Sequence, residues 1–198
     1  MSSFKTLDDL GDITGKVALV RVDLNLPMKD GSATDVSRVE AVKPTILELA
    51  EKGAKVLLLA HYGRPKGQRF STMSTSFVQG DVEKVLDKEI MFIPEVMGPV
   101  VEQSIGILGN GDIGLLDNVR FWPGEEANDP EFARGMAAHG DFYVNDAFSA
   151  AHRAHASTEG LAHHLPAYAG RAMEAERRTL PTANETCCAT SPTATRTG

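Results

Sequence analysis

The stretch that decides the fold runs from residue 56 to residue 67 and reads VLLLAHYGRPKG. Its first five residues are apolar, which is typical of a strand buried on both faces of a parallel sheet. Its second half places His61, Arg64 and Lys66 directly after that strand. Cations at the exit of a buried strand predict a binding edge, because ligands of open α/β sheets bind beyond the carboxyl ends of the strands.

Working outward, the chain alternates strand-like and helix-like segments. The apolar runs of strand length cover residues 16–25, 54–60, 90–94, 112–117 and 141–146. Helical spacing of apolar residues predicts helices over 37–53, 80–89 and 129–140, with Pro44 inside the first and Asp129 as N-cap of the last. This alternation predicts an α/β fold with a doubly wound parallel sheet and helices on both faces.

Charged and polar side chains follow four of these strands. They are Arg21, Asp23 and Asn25 at the end of the first, His61 and Arg64 after the second, Arg120 after the fourth, and His152, Arg153 and His155 after the fifth, with Arg38 opening the first helix. In a parallel sheet these positions share one edge, so five arginines and a histidine are expected to converge there. A bound phosphate or carboxylate would relieve their mutual repulsion, since the guanidinium fork matches such oxygens. The alternative is that each arginine forms its own surface ion pair.

The composition narrows the function classes. The chain has 198 residues, 20 of them Lys or Arg and 27 Asp or Glu, for a net charge of −7. This balance disfavours a broad nucleic-acid surface. No apolar run reaches the ~18 residues of a spanning helix, and the N-terminus lacks a signal-peptide pattern. We therefore expect a soluble, cytoplasmic protein with neither nucleic-acid nor membrane partners.

Several motif matches fail on context. The segment GNGDIG at 109–114 fits G-x-G-x-x-G but precedes a strand, so it predicts a turn and not a dinucleotide site. The segment DLNLPMKDG follows the first strand, where a nicotinamide dehydrogenase needs a glycine fingerprint. The histidines of HRAH have no nearby acidic third ligand, and Asp23 among arginines is a poor cation site, so no metal is expected.

Five separated motifs, in order, resemble the N-terminal domain of phosphoglycerate kinase. They are RVDLNLP, TDVSRVEAVKPTI, LLLAHYGRPKG, LLDNVRFWPGEE and FYVNDAFSAAHRAHAS, and the resemblance runs from about residue 4 to about residue 176. It implies a glycolytic kinase, usually monomeric, with two α/β domains of similar size. Such an enzyme moves a phosphoryl group between 1,3-bisphosphoglycerate and ADP, giving 3-phosphoglycerate and ATP. The N-terminal domain holds the glycerate and the other domain holds Mg-ATP or Mg-ADP.

The resemblance also implies roles for individual residues. The implied substrate-binding set is Asp23, Asn25, Arg38, His61, Tyr62, Gly63, Arg64, Arg120 and Arg153. Asp23 and Asn25 would orient the hydroxyl and carboxylate end of the glycerate, and the stretch 61–64 with Arg120 and Arg153 would grip the 3-phosphate. Arg38 would be the catalytic residue, offsetting charge on the transferring phosphoryl group. Arg21 would support the basic patch.

The resemblance predicts two parts in the chain. Residues 1–176 form the substrate-binding domain, and residues 177–198 are a tail of divergent composition. The tail is rich in threonine, holds Cys187 and Cys188, the two cysteines of the chain, and shows no apolar periodicity, so disorder is expected. Its abrupt onset favours a reading-frame change or a truncated gene over a genuine disordered tail.

The catalytic expectation follows from the same division. The family's nucleotide site would be absent from this chain, so it is expected to bind 3-phosphoglycerate weakly and to have no kinase activity alone. A non-catalytic module that binds phosphorylated anions remains the alternative.

Overall fold

The computed structural model describes residues 5–150 and 153–179. Within these residues the chain forms a six-stranded sheet and a small hairpin. The strands are β1 (Val17–Arg21), β2 (Met28–Lys29), β3 (Ser32–Ala33), β4 (Lys55–Leu59), β5 (Ile90–Ile93), β6 (Ile113–Leu116), β7 (Phe142–Asn145) and β8 (Ala167–Ala169). The large sheet has the order β5-β6-β4-β1-β7-β8, and each neighbouring pair in it is parallel. The hairpin pairs β2 with β3.

Helices connect the strands of the sheet. They are α1 (Ser37–Glu51), α2 (Ser76–Leu86), α3 (Pro99–Ile107), α4 (Pro123–Glu126), α5 (Pro130–Ala137) and α6 (Arg171–Thr179), joined by several short 3-10 turns. The predicted N-cap of α5 is confirmed, because the Asp129 carboxylate accepts from the Phe132 N–H at 2.8 Å. Pro44 lies inside α1 as predicted. The helix predicted to begin at residue 80 in fact begins at Ser76.

Two apolar layers cover the sheet, one on each face. Successive residues of a strand point to opposite faces, so Val20 and Leu58 join a layer with α1 and α2, while Leu19 and Leu57 join a layer with α3 and α5. Because both faces are buried, the strands read as continuous apolar runs and not as alternating ones. The predicted doubly wound parallel fold is therefore confirmed.

The sequence prediction and the structure differ at the strand ends and at six short elements. The first predicted strand continues to residue 25, whereas β1 ends at Arg21 and residues 22–25 leave the sheet. The unpredicted elements are β2, β3, β8, α3, α4 and α6. The three strands have two or three residues each, and α3 begins at Pro99 directly after Gly98. The segment 109–114 is a turn into β6, as predicted.

Part of the chain lies outside the described residues. His152 and residues 180–198, which hold most of the predicted tail with both cysteines, are among them. Helix α6 continues three residues past the predicted boundary at 176. Among the described residues, no helix has the length and apolarity needed to cross a bilayer.

Packing between β4 and β6 gives a test of the core. A Cβ added to Gly114 would lie 2.8 Å from Leu57 Cδ2 and 3.0 Å from Ile93 Cδ1. Gly114→Ala should therefore lower the free energy of unfolding by about 1–3 kcal/mol through overpacking. Leu57→Ala should lower it by about 2–5 kcal/mol by leaving a cavity.

The double variant should cost less than the sum of the two single changes, because the new methyl group enters the vacated space. Denaturant unfolding of the four proteins measures this coupling. Gly80→Ala, at a helical position with open space around it, is the control and should be neutral or stabilising by about 0.5–1 kcal/mol. Strict additivity of the two core changes would contradict the packing described here.

Candidate functional site

A cavity of about 250 Å³ opens at the carboxyl edge of the sheet. Its walls come from the segments after β1, β4, β6 and β7 and from the first turn of α1. The lining residues are Asp23, Asn25, Arg38, His61, Gly63, Arg64, Arg120, Ser149, Ala150 and Arg153. Residues far apart in sequence thus meet at one place, as the parallel topology requires. Separate surface ion pairs do not describe this arrangement.

Asp23 is the carboxylate of the cavity. Its Oδ2 accepts from Arg38 Nη1 at 2.7 Å and from the Ser149 hydroxyl, and its Oδ1 accepts from the Asn25 N–H at 3.0 Å. Burial by itself raises the pKa of Asp23, but the hydrogen bonds from Ser149 and Asn25 and the charge of Arg38 outweigh it, so the pKa is lowered. Asp23 therefore stays ionised at neutral pH and presents acceptor oxygens only.

Gly63 joins two walls of the cavity through its backbone. Its N–H donates to Asn25 Oδ1 at 3.0 Å, and its carbonyl accepts from Arg120 Nη1 at 3.0 Å. Gly63 has a φ of +63°, a conformation that glycine adopts at no steric cost. A side chain here would also bring a Cβ within 3.3 Å of Met73 Sδ.

Asn118 holds the loops after β4 and β6 against each other. Its Nδ2 donates to the carbonyls of Tyr62, at 2.6 Å, and Met73, at 2.8 Å, and its Oδ1 accepts from the Arg120 N–H at 3.0 Å. The side chain is fully buried, so each of these bonds replaces one that water would otherwise make. Asn118 consequently fixes the backbone on both sides of the cavity.

Arg120 is a buried cation in the cavity wall. It is only 4% exposed, and its Nε lies 3.3 Å from Glu126 Oε1 without the alignment of a hydrogen bond. Burial lowers its pKa, Glu126 counteracts this, and the charges of Arg153 and Arg21 lower the pKa further. A buried cation beside other cations is stabilised by an anion in the cavity that it lines.

His61 is neutral, which corrects the expectation of six cations at this edge. Burial, together with the charges of Arg21 and Arg120, lowers its pKa to about 3. Its Nδ1 lies 2.9 Å from Arg21 Nη2, and a guanidinium can only donate, so Nδ1 is the acceptor and the ring proton is on Nε2. His61 therefore offers the cavity an uncharged N–H donor.

Arg21 and Tyr62 lie behind the cavity wall and do not line it. Arg21 is buried, consistent with the supporting role that the resemblance implies. The Tyr62 side chain packs against the apolar layer of α1 and α2, whereas His61 and Gly63 line the cavity. A contact between Tyr62 and substrate remains a prediction.

Two exposed arginines stand at the rim. Arg64 makes no hydrogen bond or ion pair with any described residue, and its guanidinium is available to a ligand. Arg153 follows a short 3-10 turn, Phe148–Ala150, and its carbonyl accepts from the Thr158 hydroxyl at 2.8 Å. Both belong to the lining of the cavity.

Sequence reasoning missed the polar groups that support the site. Ser149 holds Asp23, Asn118 holds the loops, and Glu125 and Ser157 lie buried behind Arg21. A serine among alanines carries no local signal, and a glutamate is rarely fully buried unless it is paired. Glu125 does lie in the motif LLDNVRFWPGEE, but its position alone does not reveal that it points inward.

The described residues do not form a metal site. In the part of the chain that the structure describes, no group of three or more His, Cys, Asp or Glu side chains could hold a metal ion. The nearest acidic neighbour of His155 is Glu125, whose Oε1 is 3.7 Å from Nδ1, and a histidine–carboxylate pair is not a zinc site. The cavity offers one carboxylate among arginines, which disfavours Mg²⁺.

Comparison with known proteins places this geometry in a family. A family model described as phosphoglycerate kinase matches residues 7–190. The chain belongs to the phosphoglycerate kinase family. The match extends beyond residue 176, where the sequence analysis set the end of the resemblance.

Phosphoglycerate kinases of known sequence are close relatives of the chain. That of Sphingopyxis alaskensis is 61% identical over 183 residues, which cover 92% of this chain and 46% of the relative. That of Rhizobium johnstonii is 61% identical over 180 residues, covering 91% and 45%. The chain thus spans about half the length of the curated phosphoglycerate kinases it matches.

Solved phosphoglycerate kinases have the same fold. The crystal structure from Pyrococcus horikoshii OT3 aligns with a TM-score of 0.79 at 32% identity, over 88% of this chain and 44% of that one. The structure from Coxiella burnetii aligns with a TM-score of 0.77 at 34% identity, over 89% and 44%. The described fold therefore corresponds to somewhat less than half of each of these phosphoglycerate kinases.

The neutral state of His61 predicts a pH dependence of stability. Its pKa is about 3 in the folded protein and about 6.5 when unfolded. Below pH 6.5 the unfolded state binds the extra proton, so stability falls as the pH drops through this window. Between pH 7.5 and pH 5, His61 should account for a loss of about 2 kcal/mol in the free energy of unfolding.

Denaturant unfolding of the wild type and of His61→Gln at both pH values measures this share. The variant should lose that much less stability on acidification than the wild type does. Equal losses in the two proteins would contradict the neutral assignment. A nuclear magnetic resonance titration of the His61 ring, unchanged above pH 5, gives the same answer independently.

Proposed function

We propose that this chain is the glycerate-binding half of a phosphoglycerate kinase. In the complete reaction a phosphoryl group passes reversibly between 1,3-bisphosphoglycerate and ADP, giving 3-phosphoglycerate and ATP. The observation that carries the proposal is the cavity in which Arg38, Arg64, Arg120 and Arg153 meet beside one ionised carboxylate, Asp23. A phosphorylated hydroxy acid complements both kinds of group.

The 3-phosphate is held at the arginine-rich wall. Arg64 and Arg153 provide charge from the exposed rim, and Arg120 provides it from the buried wall. His61 adds the neutral Nε2–H, a donor that does not increase the repulsion among the arginines. Charge-assisted hydrogen bonds of this kind contribute roughly 1.5–3 kcal/mol each, which is enough for specific binding of a small anion.

Asp23 and Asn25 orient the other end of the ligand. An ionised Asp23 accepts a hydrogen bond from the glycerate hydroxyl. The Asn25 side chain already accepts from the Gly63 N–H, and its Nδ2 remains as a donor for the glycerate carboxylate. The ligand is thereby held with its phosphate toward the buried arginines and its carboxyl end toward the first turn of α1.

Arg38 acts on the phosphoryl group that is transferred. Its side chain is 47% exposed and uses Nη1 to bind Asp23, so other donors of the guanidinium remain for the reacting oxygens. Catalysis of phosphoryl transfer consists mostly of positioning and of offsetting charge in the transition state. The anchoring of Arg38 on Asp23 provides the positioning.

The nucleotide is bound by residues other than the described ones, so this chain has no turnover by itself. Mg-ATP or Mg-ADP would come from the second half of the enzyme, and closure of the two halves would exclude water. Cytoplasmic location, the monomeric state and the absence of nucleic-acid or membrane partners remain predictions.

A second candidate is a phospho-anion-binding module without catalysis. It is favoured by the same residues, which offer anion contacts but no cluster of metal-ligating side chains. Mixing the chain with a separately made nucleotide-binding half of a relative distinguishes the two. Restored turnover supports the kinase, and binding without turnover supports the module.

Ligand binding gives the direct test of the site. A ligand that binds only the folded state raises the melting temperature, with about 2.7 kcal/mol of stabilisation at a concentration of 100 Kd. We expect 3-phosphoglycerate to raise the melting temperature, and inorganic phosphate to compete with it. No shift at millimolar 3-phosphoglycerate would argue against the proposed site.

Arg64→Ala isolates one contact of that site. Arg64 is exposed and has no partner among the described residues, so its loss should leave the melting temperature of the free protein unchanged. The affinity for 3-phosphoglycerate should fall about tenfold or more, as loss of a charged hydrogen bond implies. Arg134→Ala, on the exposed face of α5 where Arg134 pairs with Glu131, is the matched control and should bind normally. Equal affinities of the two variants would remove Arg64 from the site.

A turnover assay tests the prediction that this chain has no kinase activity by itself. A coupled assay of ATP consumption with 3-phosphoglycerate should show no activity above background for this chain alone, because the proposal places the nucleotide on the second half of the enzyme. Turnover well above background, retained after repeated purification, would contradict this expectation.

A further inference from the structure

A series of hydrogen-bonded, buried polar groups lies directly behind the cavity. Ser157 Oγ is 2.8 Å from Arg21 Nε and 2.6 Å from Glu125 Oε1. Ser157 and Glu125 are fully buried and Arg21 is 1% exposed. None of the three lines the cavity, so the proposed function uses neither Ser157 nor Glu125.

The direction of these hydrogen bonds is fixed by chemistry. A guanidinium can only donate, so Arg21 Nε donates to the lone pair of Ser157 Oγ. The single hydroxyl proton of Ser157 then goes to Glu125 Oε1, and the Ser157 backbone N–H donates to Glu125 Oε2 at 2.9 Å. The hydroxyl has no other orientation that satisfies both neighbours.

The Glu125 carboxylate, at the end of this series of hydrogen bonds, is the counter-charge of Arg21. The other partners of its guanidinium are uncharged: the carbonyls of Val22 and Leu59 and the ring of His61. Among the described residues, no carboxylate forms a direct ion pair with Arg21. Glu125 is therefore linked to it through one hydroxyl, and a buried charge needs such a link.

We propose that Glu125 and Ser157 are positioning residues of the glycerate site: they fix the Arg21 guanidinium, which in turn fixes the His61 ring with its Nε2–H toward the ligand. This inference rests on the proposed function for the identity of the ligand. The arrangement itself depends only on the contacts among the four residues.

The consequence for the ligand lies in the tautomer of His61. With Arg21 held in place, Nδ1 must accept, and Nε2 carries the proton. Nε2 has no partner among the described residues, and His61 lines the cavity, so this N–H is available there. If Arg21 were free to turn away, the proton could move to Nδ1, and Nε2 would present a lone pair that repels phosphate oxygens.

Further hydrogen bonds from neighbouring residues hold Glu125 and Ser157 in place. The Ala156 N–H donates to the Glu125 carbonyl at 3.0 Å, and the Tyr143 hydroxyl donates to the Ser157 carbonyl at 2.9 Å. Glu125 belongs to α4, which follows Arg120, and Ser157 follows the segment that carries Arg153. The hydrogen bonds between Glu125 and Ser157 thus connect, on the side away from the cavity, the two segments that carry Arg120 and Arg153.

The experiment compares the wild type with Ser157→Ala and Glu125→Gln in the full chain. Two readouts are used: the ¹⁵N chemical shifts of the His61 ring at pH 7, which report the tautomer, and the affinity for 3-phosphoglycerate by calorimetry. The wild type should show only the Nε2–H tautomer. Both variants should show mixed tautomers and bind about tenfold more weakly, as loss of a hydrogen bond to a charged group implies.

The double variant tests whether the two residues act as one unit. If Glu125 acts through Ser157, the double variant should match the weaker single variant and not the sum of the two effects. Thr45→Val is the matched control. It removes an equally buried hydroxyl, which accepts from the Arg171 N–H at 2.7 Å and does not line the cavity. It should cost stability but leave the tautomer unchanged and the affinity within about twofold.

Several results would overturn the proposal. A folded Ser157→Ala with a pure Nε2–H tautomer and wild-type affinity would do so, as would the Nδ1–H tautomer in the wild type, which needs no variant. If Ser157→Ala does not fold, Glu125→Gln and the wild-type tautomer still decide. Absence of 3-phosphoglycerate binding by the wild type refutes the proposed function separately, because the tautomer is measured without ligand.

Discussion

The parallel pairing of β1 with β4 is the constraint on which the site depends. The register sets Arg21 beside Leu59, so the last residue of β1 and the first polar residue after β4 leave the sheet together. Arg21 can then bind the ring of His61 without any distortion of either strand. Parallel neighbours on both sides bring the segments after β6 and β7 to the same edge, which completes the cavity.

Burial determines the charge of each group at this edge. His61 is forced neutral, because it is buried next to two guanidinium groups. Asp23 stays ionised in spite of burial, because three donors converge on its oxygens. Arg120 keeps a charge that Glu126, 3.3 Å from its Nε, does not fully offset. The result is a cavity with separate donor and acceptor regions, which suits a ligand with a phosphate at one end and a hydroxyl beside a carboxylate at the other.

Much of this could be predicted from the sequence, and the remainder depended on three-dimensional contacts. The five long apolar runs predict the strands, because a strand covered on both faces has to be apolar throughout. Parallel connection then predicts that the residues following those strands share an edge. The short strand β8 carries no such signal. The neutral state of His61, the inward turn of the Tyr62 ring and the buried Glu125 follow from neighbours distant in sequence, and no local pattern encodes them.

The Asn118 carboxamide connects the loops after β4 and β6, since it binds the carbonyls of Tyr62 and Met73 on one side and the Arg120 backbone on the other. The residues of these two loops must therefore move together. The backbone of these two loops therefore has little conformational entropy to lose when an anion enters, and the entropic cost falls mainly on exposed side chains such as Arg64. Any large motion of an enzyme built on this half has to take place outside the two loops that Asn118 connects.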